Sequence, residues 1–471
     1  MVVSCRAQHV ALSDRVRRSV AEEARPPQNE LHLKSEALFI RVLDLCACEE
    51  VFLSQMIDPK IKKLISLEAK RQSRTIDLIP SENLVSPEVL SILGSPLVNK
   101  YSEGYPGRRY YPGNAYCDDL EDLARQYALK AFGLKDADWR ANIQPYSGSP
   151  ANLAVYLALV PPGGTILGMK LASGGHLTHG HSVSATGKFW KAVQYGTDYR
   201  GYIDFDEIRK LAVEHKPKII VSGTTAYPRK IDFKKFAEIA REVGAYHLAD
   251  ISHISGLIAA GAHPTPFKYA DVVMTTTHKT LRGPRGAILW SRKEMMADGK
   301  TVLADAIDKA VFPGLQGGPH NNQTAAIAQS LYEVQKDAFS GYGKQVVANA
   351  KALAAGLKEH GFDLVTGGTD NHLILIDLKN IGIDGMKAQE ALENNGIIAN
   401  RNSVPGDISP FKPTGIRMGT PSVTTRGMKE KQMKDIARLI KETIVDHKNV
   451  AKEVERLAER FPAERFTGWP R

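Results

Sequence analysis

The chain has 471 residues and a formal net charge of +10 at pH 7, with 43% hydrophobic and 24% charged residues. A chain this long exceeds one ordinary hydrophobic core, so we expect two domains and an extension. No run approaches the roughly 20 apolar residues of a membrane-spanning helix, and the four cysteines do not form a disulfide framework in so long a chain. Neither a basic run nor an RNA-binding aromatic signature accompanies the positive charge, so a nucleic-acid partner is not expected.

The N-terminal segment, residues 1–56, reads as an extension that precedes the folded domains. Residues 1–24 combine several arginines with small residues, a composition weakly typical of a transit peptide. Asp14 and the two glutamates close behind it count against that interpretation, and residues 30–56 read as helical. Mitochondrial import and a cytoplasmic extension both stay open, and we favour the mitochondrion slightly.

Beyond the extension, the chain divides into an arm and two domains. Strands such as Lys218–Ser222 alternate with helices such as Phe233–Val243, which predicts an α/β domain with a mainly parallel sheet. The C-terminal part mixes both element types and predicts a smaller α+β domain. We place the arm at residues 57–90, the large domain at 91–335 and the small domain at 336–471.

Three segments of the small domain have clear patterns. Residues Ala348–His360 predict a helix, and the apolar run His372–Asp377 predicts a strand. The segment from Lys429 to about Arg460 is charged and amphipathic, which predicts a single long helix that closes the chain.

A candidate anion-binding turn is the first functional motif along the chain. Ser147, Gly148 and Ser149 open an apolar run that ends at Val160 and reads as a helix. Free backbone N–H groups and the positive end of the helix dipole suit a phosphate, and a glycine lets an anion approach the backbone closely. An ordinary serine N-cap explains the same residues, so the motif alone does not establish a phosphate-binding site.

The second motif contains two histidines behind a pair of glycines. His176 and His179 lie three residues apart, a spacing that could bring both onto one metal ion. No further ligand cluster at metal spacing accompanies them, so no metal is expected. A flat ring behind Gly174 and Gly175 can approach a planar ligand closely, and we expect His176 to stack on one.

One predicted strand ends in an acid, and another is followed closely by a lysine. Residues Ala245–Asp250 end in a carboxylate, and the β-branched run Asp271–Thr277 is followed by Lys279 and a Gly-Pro break. Strands of an open α/β sheet meet at their carboxyl ends, so we expect both side chains in one crevice. Pyridoxal phosphate needs this pair, a lysine for its aldehyde and an acid for its pyridine nitrogen. A solvated lysine and a helix-capping aspartate are the alternatives.

The last motif is an arginine between glycines. Arg417 stands in Gly415-Ile-Arg-Met-Gly419, just before a Thr-Pro stop. Its guanidinium is well placed to bind a carboxylate through two hydrogen bonds. A surface arginine in a loop is the alternative.

Together these motifs resemble the serine hydroxymethyltransferase family, which are pyridoxal-phosphate enzymes of fold type I. The resemblance runs from about Leu64 to the end of the chain, and its most specific segment is Thr275–Arg285. Further matching motifs lie at Pro80–Asn83, Asn99–Tyr111 and Phe312–His320.

The resemblance implies a fold and a reaction. The fold would be α/β, that of the aspartate aminotransferase-like transferases, with a mainly parallel seven-stranded sheet in the large domain and a smaller α+β C-terminal domain. The reaction would transfer the hydroxymethyl carbon of serine reversibly to tetrahydrofolate, giving glycine and 5,10-methylenetetrahydrofolate.

The resemblance also assigns cofactor residues. Lys279 would bind pyridoxal phosphate covalently, Asp250 would pair with its ring nitrogen, and His176 would stack on the ring. The remaining cofactor residues would be Ser147, Gly148, Ser149, Thr225, His253 and His278, with Gly317 and Gly318 from the partner subunit.

Substrate residues follow in the same way. Arg417 would bind the carboxylate of the amino acid, with Ser81 and His278 nearby, and Glu103 would handle the proton of the substrate hydroxyl or of the folate. Tyr101, Glu103 and Tyr111 would come from the partner subunit, so that an obligate homodimer shares its active sites. Folate would contact the side chain of Asn402 and the backbone of Leu171 and Gly175.

Departures from the family pattern are minor. Pro80 stands where the family usually has alanine, and residues 113–118 differ from the usual sequence, but neither change removes a catalytic group. The connection from Ser291 to Lys309 looks short, which favours a plain dimer over a tetramer.

Two rival functions stay open at this point. A threonine aldolase needs the same Lys279, Asp250 and Arg417 but not the folate residues, so folate dependence of serine cleavage separates the two. An RNA-binding regulator would use the positive surface, and RNA affinity that survives Lys279→Ala would support it as an added role.

Overall fold

The computed structural model of the protein describes residues 57–407 and 412–463. Of the described residues, 57–68 belong to one unit and the remainder, from residue 69 onward, to another. The predicted targeting segment and the predicted helix over residues 30–56 lie outside the described residues. No helix within the described ranges is long and apolar enough to cross a membrane.

The first described elements are short, apart from two helices. In chain order they are α1 (Pro59–Arg74), β1 (Ile76–Asp77), α2 (Pro87–Leu93), β2 (Gly104–Tyr105), β3 (Arg108–Arg109) and α3 (Ala115–Ala131). Strands β2 and β3 pair with each other as a small hairpin, and Glu103, which directly precedes β2, accepts a hydrogen bond at its backbone oxygen from Tyr110 N. The backbone next to Glu103 is therefore part of hydrogen-bonded secondary structure rather than an irregular loop.

A seven-stranded sheet forms the centre of the next segment. Its strands are β4 (Trp139–Asn142), β5 (Thr165–Met169), β6 (Lys191–Tyr195), β7 (Ile219–Ser222), β8 (Tyr246–Asp250), β9 (Val272–Thr276) and β10 (Ala287–Arg292). Their spatial order is β4-β10-β9-β8-β7-β5-β6. Strand β10 runs in the direction opposite to that of the other six strands. The prediction of a mainly parallel seven-stranded sheet is confirmed.

The sheet is covered on both faces because its central strands are apolar throughout. Ile220 and Val273 enter one hydrophobic core, whereas Val221 and Met274 enter the other. Parallel sheets with helices on both faces show such continuous apolar strands. The helices of this segment are α4 (Gly148–Leu159), α5 (Ala185–Phe189), α6 (Phe205–His215), α7 (Phe233–Glu242), α8 (Ser255–Ala259), α9 (Leu303–Lys309) and α10 (Asn321–Val334).

The C-terminal segment is built on a four-stranded sheet with its own core. Its elements are α11 (Asp337–Glu359), β11 (Asp363–Leu364), β12 (Leu373–Asp377), α12 (Gly385–Asn394), β13 (Ile397–Ile398), β14 (Asn400–Asn402), β15 (Gly415–Gly419), α13 (Pro421–Thr425), α14 (Glu430–Ile444) and α15 (Ala451–Glu459). The sheet order is β11-β12-β15-β14. Strand β1 pairs instead with β13, which ties the arm to this segment. The predicted domain boundaries themselves stay predictions.

The prediction of one long closing helix is wrong. Helix α14 ends at Ile444 and α15 begins at Ala451. Between them, His447 has a left-handed φ of 55°, and the backbone N–H of Val450 donates to Asn395 Oδ1 at 2.7 Å. An α-helix cannot continue through a left-handed residue, so the chain turns here although the charge pattern continues.

Helix α11 begins eleven residues before the predicted start at Ala348. Its first turns contain two glycines, Gly341 and Gly343. Because glycine is a poor helix former, the sequence does not predict a helix there. Gly343 is buried, and a Cβ there would lie 2.3 Å from the Cβ of Ala260. A close helix contact therefore accounts for this glycine.

Two substitutions in α11 test that contact. Gly343→Ala should lower the free energy of unfolding by about 1–3 kcal/mol because the new methyl overpacks against Ala260. Gly341→Ala is the matched control, since nothing lies within 4 Å of its Cβ, and should raise stability by about 0.5–1 kcal/mol. Denaturant unfolding of the two variants measures both effects, and a stabilised Gly343→Ala would contradict the packing argument.

Candidate active site

Asp250 and Lys279 line one cavity at the carboxyl ends of two adjacent parallel strands. Asp250 is the last residue of β8, and Lys279 follows the end of β9 by three residues. The cavity, which we call the lysine cavity, has a volume of about 270 Å³. Its other lining residues are Ser147, Gly148, Ser149, Asn152, His176, His179, Thr224, Thr225, Ser252, His253, Met274, Thr276, His278 and Arg285.

Asp250 is buried but fully supplied with hydrogen-bond donors. Its Oδ2 accepts from Asn152 Nδ2 and lies 3.1 Å from His179 Nε2. Its Oδ1 accepts from the hydroxyl of Ser252 at 2.6 Å and from the backbone N–H of the same residue. Burial raises the pKa of Asp250, but the contacts with His179, His176 and Ser252 outweigh it and hold that pKa well below the ordinary range. Asp250 is therefore a buried carboxylate that stays ionised.

Lys279 has an amine that loses its proton readily. Burial lowers the pKa of Lys279 from 10.5 to about 8, with Asp250 opposing the shift and the charges of Arg417 and Arg285 adding to it. Its Nζ donates to Thr276 Oγ1 at 2.8 Å. A lysine whose pKa is lowered by burial is suited to nucleophilic attack on an aldehyde.

The predicted anion-binding turn opens helix α4 at the edge of the same cavity. Ser147 has an extended backbone with φ of −166°, and its side chain forms no capping hydrogen bond. The N–H groups of the first helical turn have no acceptor within the helix, so they are available to a phosphate. A Cβ on Gly148 would lie 2.7 Å from Thr276 Cγ2, which requires glycine at this position.

The histidines predicted for the cofactor have different surroundings. His176 Nδ1 lies 2.8 Å from Thr178 Oγ1, and burial lowers the pKa of His176 to about 4. Burial, with the charges of Lys279 and Arg285, lowers the pKa of His278 to about 3. The Nδ1 atom of His278 is buried without a hydrogen-bond partner among the described residues. His253 also lines the cavity.

Thr225 lines the lysine cavity, and Arg417 contacts Thr225 from the four-stranded sheet without lining the cavity itself. Arg417 lies in β15, where its Nε donates to Asn400 Oδ1 and its Nη1 donates to the backbone oxygen of Thr225. Burial lowers the pKa of Arg417 to about 10, and it forms no ion pair within the described residues. Ser81 is half-buried in the arm, which is held beside the same strand because Gly419 N donates to Leu78 O.

A second group of predicted residues lies apart from the lysine cavity. This group, which we call the tyrosine–glutamate cluster, consists of Tyr101, Glu103, Tyr111, Gly317 and Gly318. Tyr101 donates to Glu103 Oε1 at 3.3 Å, and its ring centroid lies 5.0 Å from that of Tyr111. Cβ atoms on the two glycines would lie 3.0 Å from Glu103 and 3.3 Å from Tyr101. The two tyrosines are about half exposed, and none of the five residues lines the lysine cavity.

Of the three predicted folate residues, Asn402 lines a further cavity of about 220 Å³, whereas Leu171 and Gly175 do not. Asn402 lines it together with Gly174, and its Nδ2 donates to the backbone oxygen of Ser403. Gly175 accepts a hydrogen bond from Thr225 Oγ1 at its carbonyl, which connects this wall to the lysine cavity. Leu171 is 37% exposed and does not line the cavity.

Sequence reasoning missed several residues that hold the site together. Asn152, His179 and Ser252 contact the carboxylate of Asp250. The sequence motifs had suggested only a metal-binding role for His179. No group of metal-binding side chains occurs in the described residues. Asn83 donates to the backbone oxygen of Lys279 at 2.9 Å. Asn83 belongs to the Pro80–Asn83 motif, and this motif is the sequence feature that could have indicated a role for Asn83 near the site.

The fold and this site define a class of protein. An ionised acid, a lysine of lowered pKa and a free helix N-terminus meet at the carboxyl edge of a mainly parallel sheet. These residues fit pyridoxal phosphate, which needs one group for its ring nitrogen, one for its aldehyde and one for its phosphate. The class is that of the pyridoxal-phosphate enzymes with an α/β fold.

Comparison with known proteins identifies the family. The serine hydroxymethyltransferase family model matches residues 54–440. Over 419 residues the chain is 53% identical to a serine hydroxymethyltransferase of Acidothermus cellulolyticus, an alignment that covers 86% of this chain and 95% of the relative. The relative from Desulfotalea psychrophila is 52% identical over 416 residues, covering 87% and 95%, and the one from Sorangium cellulosum is 53% identical over 417 residues, covering 86% and 95%. The chain belongs to the serine hydroxymethyltransferase family.

Family membership gives the fold type and the reaction. The chain is a fold-type I enzyme that transfers the hydroxymethyl carbon of serine reversibly to tetrahydrofolate, giving glycine and 5,10-methylenetetrahydrofolate for one-carbon metabolism. Pyridoxal phosphate is the covalently bound cofactor and tetrahydrofolate is the cosubstrate. The aldolase alternative is thereby set aside.

The pKa of Lys279 can be tested on the cofactor-free enzyme. Only the neutral amine attacks an aldehyde, so the rate of pyridoxal phosphate attachment should rise with pH and reach half its maximum near pH 8. Stopped-flow absorbance measures the rate, and Nα-acetyl-lysine amide is the control for an unburied amine. A midpoint near the ordinary lysine value of 10.5 would contradict the effect of burial.

Proposed function

We propose that the lysine cavity is the pyridoxal-phosphate site of this transferase, with Lys279 as the residue that binds the cofactor covalently. The observation that carries the proposal is the presence of a readily deprotonated lysine and an ionised aspartate in one buried cavity. Ser147, Gly148 and Ser149 hold the phosphate at the start of α4, and His176 lies against the ring. Thr225, His253 and His278 complete the contacts.

Asp250 has a defined task in this arrangement. A carboxylate held ionised by Asn152, His179 and Ser252 keeps a proton on the pyridine nitrogen, because a buried negative charge favours a positive neighbour. When bound, pyridoxal phosphate would supply an electron sink for the breaking of the Cα–Cβ bond of serine, and Asp250 would maintain that capacity by keeping the ring nitrogen protonated. The three donors to Asp250 also keep its carboxyl group in one orientation.

Arg417 orients the amino acid. Its guanidinium is anchored to Asn400 and to the backbone of Thr225 but has no carboxylate partner in the described residues. A substrate carboxylate can supply that partner through charge-assisted hydrogen bonds, with Ser81 and His278 nearby. Fixing the carboxylate sets which bond at Cα lies perpendicular to the ring plane, and this orientation is a large part of the rate enhancement.

The tyrosine–glutamate cluster serves the lysine cavity of the partner subunit in a homodimer. The cluster is partly exposed and its members do not line the lysine cavity of their own chain, which supports this arrangement. Glu103 would then accept and return the proton of the substrate hydroxyl or of the folate. Gly317 and Gly318 would approach the cofactor phosphate through their backbone.

Folate binds on the neighbouring wall. Asn402 borders the second cavity, and Gly175 connects that wall to Thr225. The Asn402 side chain and the backbone of Leu171 and Gly175 are the groups that contact the pterin ring in this proposal.

Substitution of Glu103 tests its role as a proton carrier. Glu103→Gln keeps the size and the hydrogen-bonding capacity of the side chain but cannot take up the proton. Cofactor binding should stay near that of the wild type, whereas serine turnover with tetrahydrofolate should fall roughly 100-fold or more. Loss of the cofactor from this variant would mean that Glu103 has been given the wrong role.

Mixed dimers test whether the active site is shared. Glu103→Gln and Lys279→Ala chains should each be inactive alone. In a mixed dimer one site receives both wild-type groups, so co-expressed chains that assort at random should recover about a quarter of wild-type activity. If Glu103 served its own chain, every site would lack one group and mixing would restore nothing.

Mitochondrial location is the favoured proposal for this enzyme. The support is the basic, small-residue composition of residues 1–24. Import should remove part of this segment, so N-terminal sequencing of the enzyme from its own cells should give a start beyond it. An intact N-terminus in a cytosolic fraction would contradict the proposal.

A further inference from the structure

Two buried histidines meet between the lysine cavity and the four-stranded sheet. His253 Nδ1 lies 3.2 Å from His372 Nε2, and the ring planes are 29° apart. His253 follows β8 and lines the cavity, whereas His372 directly precedes β12, the strand that pairs with the Arg417 strand. The contact therefore connects the two halves of the active site.

The pKa values of both rings are lowered, so each ring is neutral at pH 7 and a single proton lies between His253 Nδ1 and His372 Nε2. Burial lowers the pKa of His372 to about 3, with Arg417 and His263 adding to the shift. Burial, together with Lys279 and His372, holds the pKa of His253 well below its ordinary value. A neutral imidazole carries one N–H, so one ring donates in this hydrogen bond and the other accepts.

The surroundings of His372 decide which ring donates. Its Nδ1 atom is buried and has no hydrogen-bond partner among the described residues. If His253 were the donor, His372 would carry its proton on Nδ1 as a buried N–H without an acceptor. If His372 donates from Nε2, only a lone pair is left unpaired. Buried N–H groups without acceptors are rarer than under-satisfied acceptors, which favours His372 as the donor.

We propose that His372 is a positioning residue that fixes the tautomer of His253. Because His253 Nδ1 accepts from His372, His253 keeps its own proton on Nε2. No hydrogen bond joins this Nε2 atom to another described residue, and His253 lines the lysine cavity, so its Nε2–H is available as a donor there. It is thus ready for an acceptor atom of the bound cofactor, so this inference rests on the proposed cofactor site.

Two variants of His372 separate tautomer control from packing. His372→Leu fills a similar volume without a donor, whereas His372→Gln can place an amide N–H close to the position of Nε2. The dissociation constant of pyridoxal phosphate from the cofactor-free enzyme should rise roughly tenfold in the leucine variant. It should rise no more than about threefold in the glutamine variant. Equal affinities in all three proteins, or equal losses in both variants, would overturn the inference.

Neutron diffraction of the perdeuterated wild-type holoenzyme gives a direct answer that does not depend on variant folding. The deuteron should lie on Nε2 of both histidines, and a deuteron on His253 Nδ1 would overturn the inference. The two proposals fail differently. A wild-type enzyme that does not bind pyridoxal phosphate at Lys279 refutes the cofactor site, whereas a correctly loaded enzyme with the opposite tautomer refutes only the role of His372.

Discussion

An ionised aspartate buried beside a lysine is the constraint on which the active site depends. Asp250 is only 7% exposed, and a buried charge without partners is very costly. Asn152 on α4, His179 after β5 and Ser252 after β8 together offset that cost. The segments that carry these three residues connect different strands of the sheet, and all three must meet at one carboxylate. The same segments line the cavity.

Close backbone packing allows the convergence. A Cβ on Gly223 would lie 2.2 Å from the backbone oxygen of Asp250, and one on Gly256 would lie 2.1 Å from that of Thr280. Gly223 also has a φ of 137°, which side-chain-bearing residues rarely adopt. The turns beside Asp250 and Lys279 thus approach each other at distances that only glycine permits.

The backbone around Glu103 is held by several hydrogen bonds although it lies near the surface. Arg109 Nη1 donates to the backbone oxygens of Ser102 and Gly104, which flank Glu103. The same guanidinium pairs with Glu121 at 2.8 Å, and both side chains are almost fully buried. These hydrogen bonds fix the backbone on both sides of Glu103, and the hydroxyl of Tyr101 donates to its carboxyl group. Such support suits a catalytic carboxyl group.

The sequence by itself determined the strand that ends at Asp250, the strand that precedes Lys279, the helix opened by Ser147, and the family. Those signals are local, because β-branched runs, Gly-Pro breaks and short motifs act over a few residues. Only the tertiary structure decided that Asn152 and His179 hold Asp250, since they lie 98 and 71 residues away from it. It likewise decided where the closing helix breaks, because Asn395, an anchor of that turn, belongs to a remote part of the chain. Contacts between distant segments have no local pattern in the sequence, and the folded chain alone brings them within hydrogen-bonding distance.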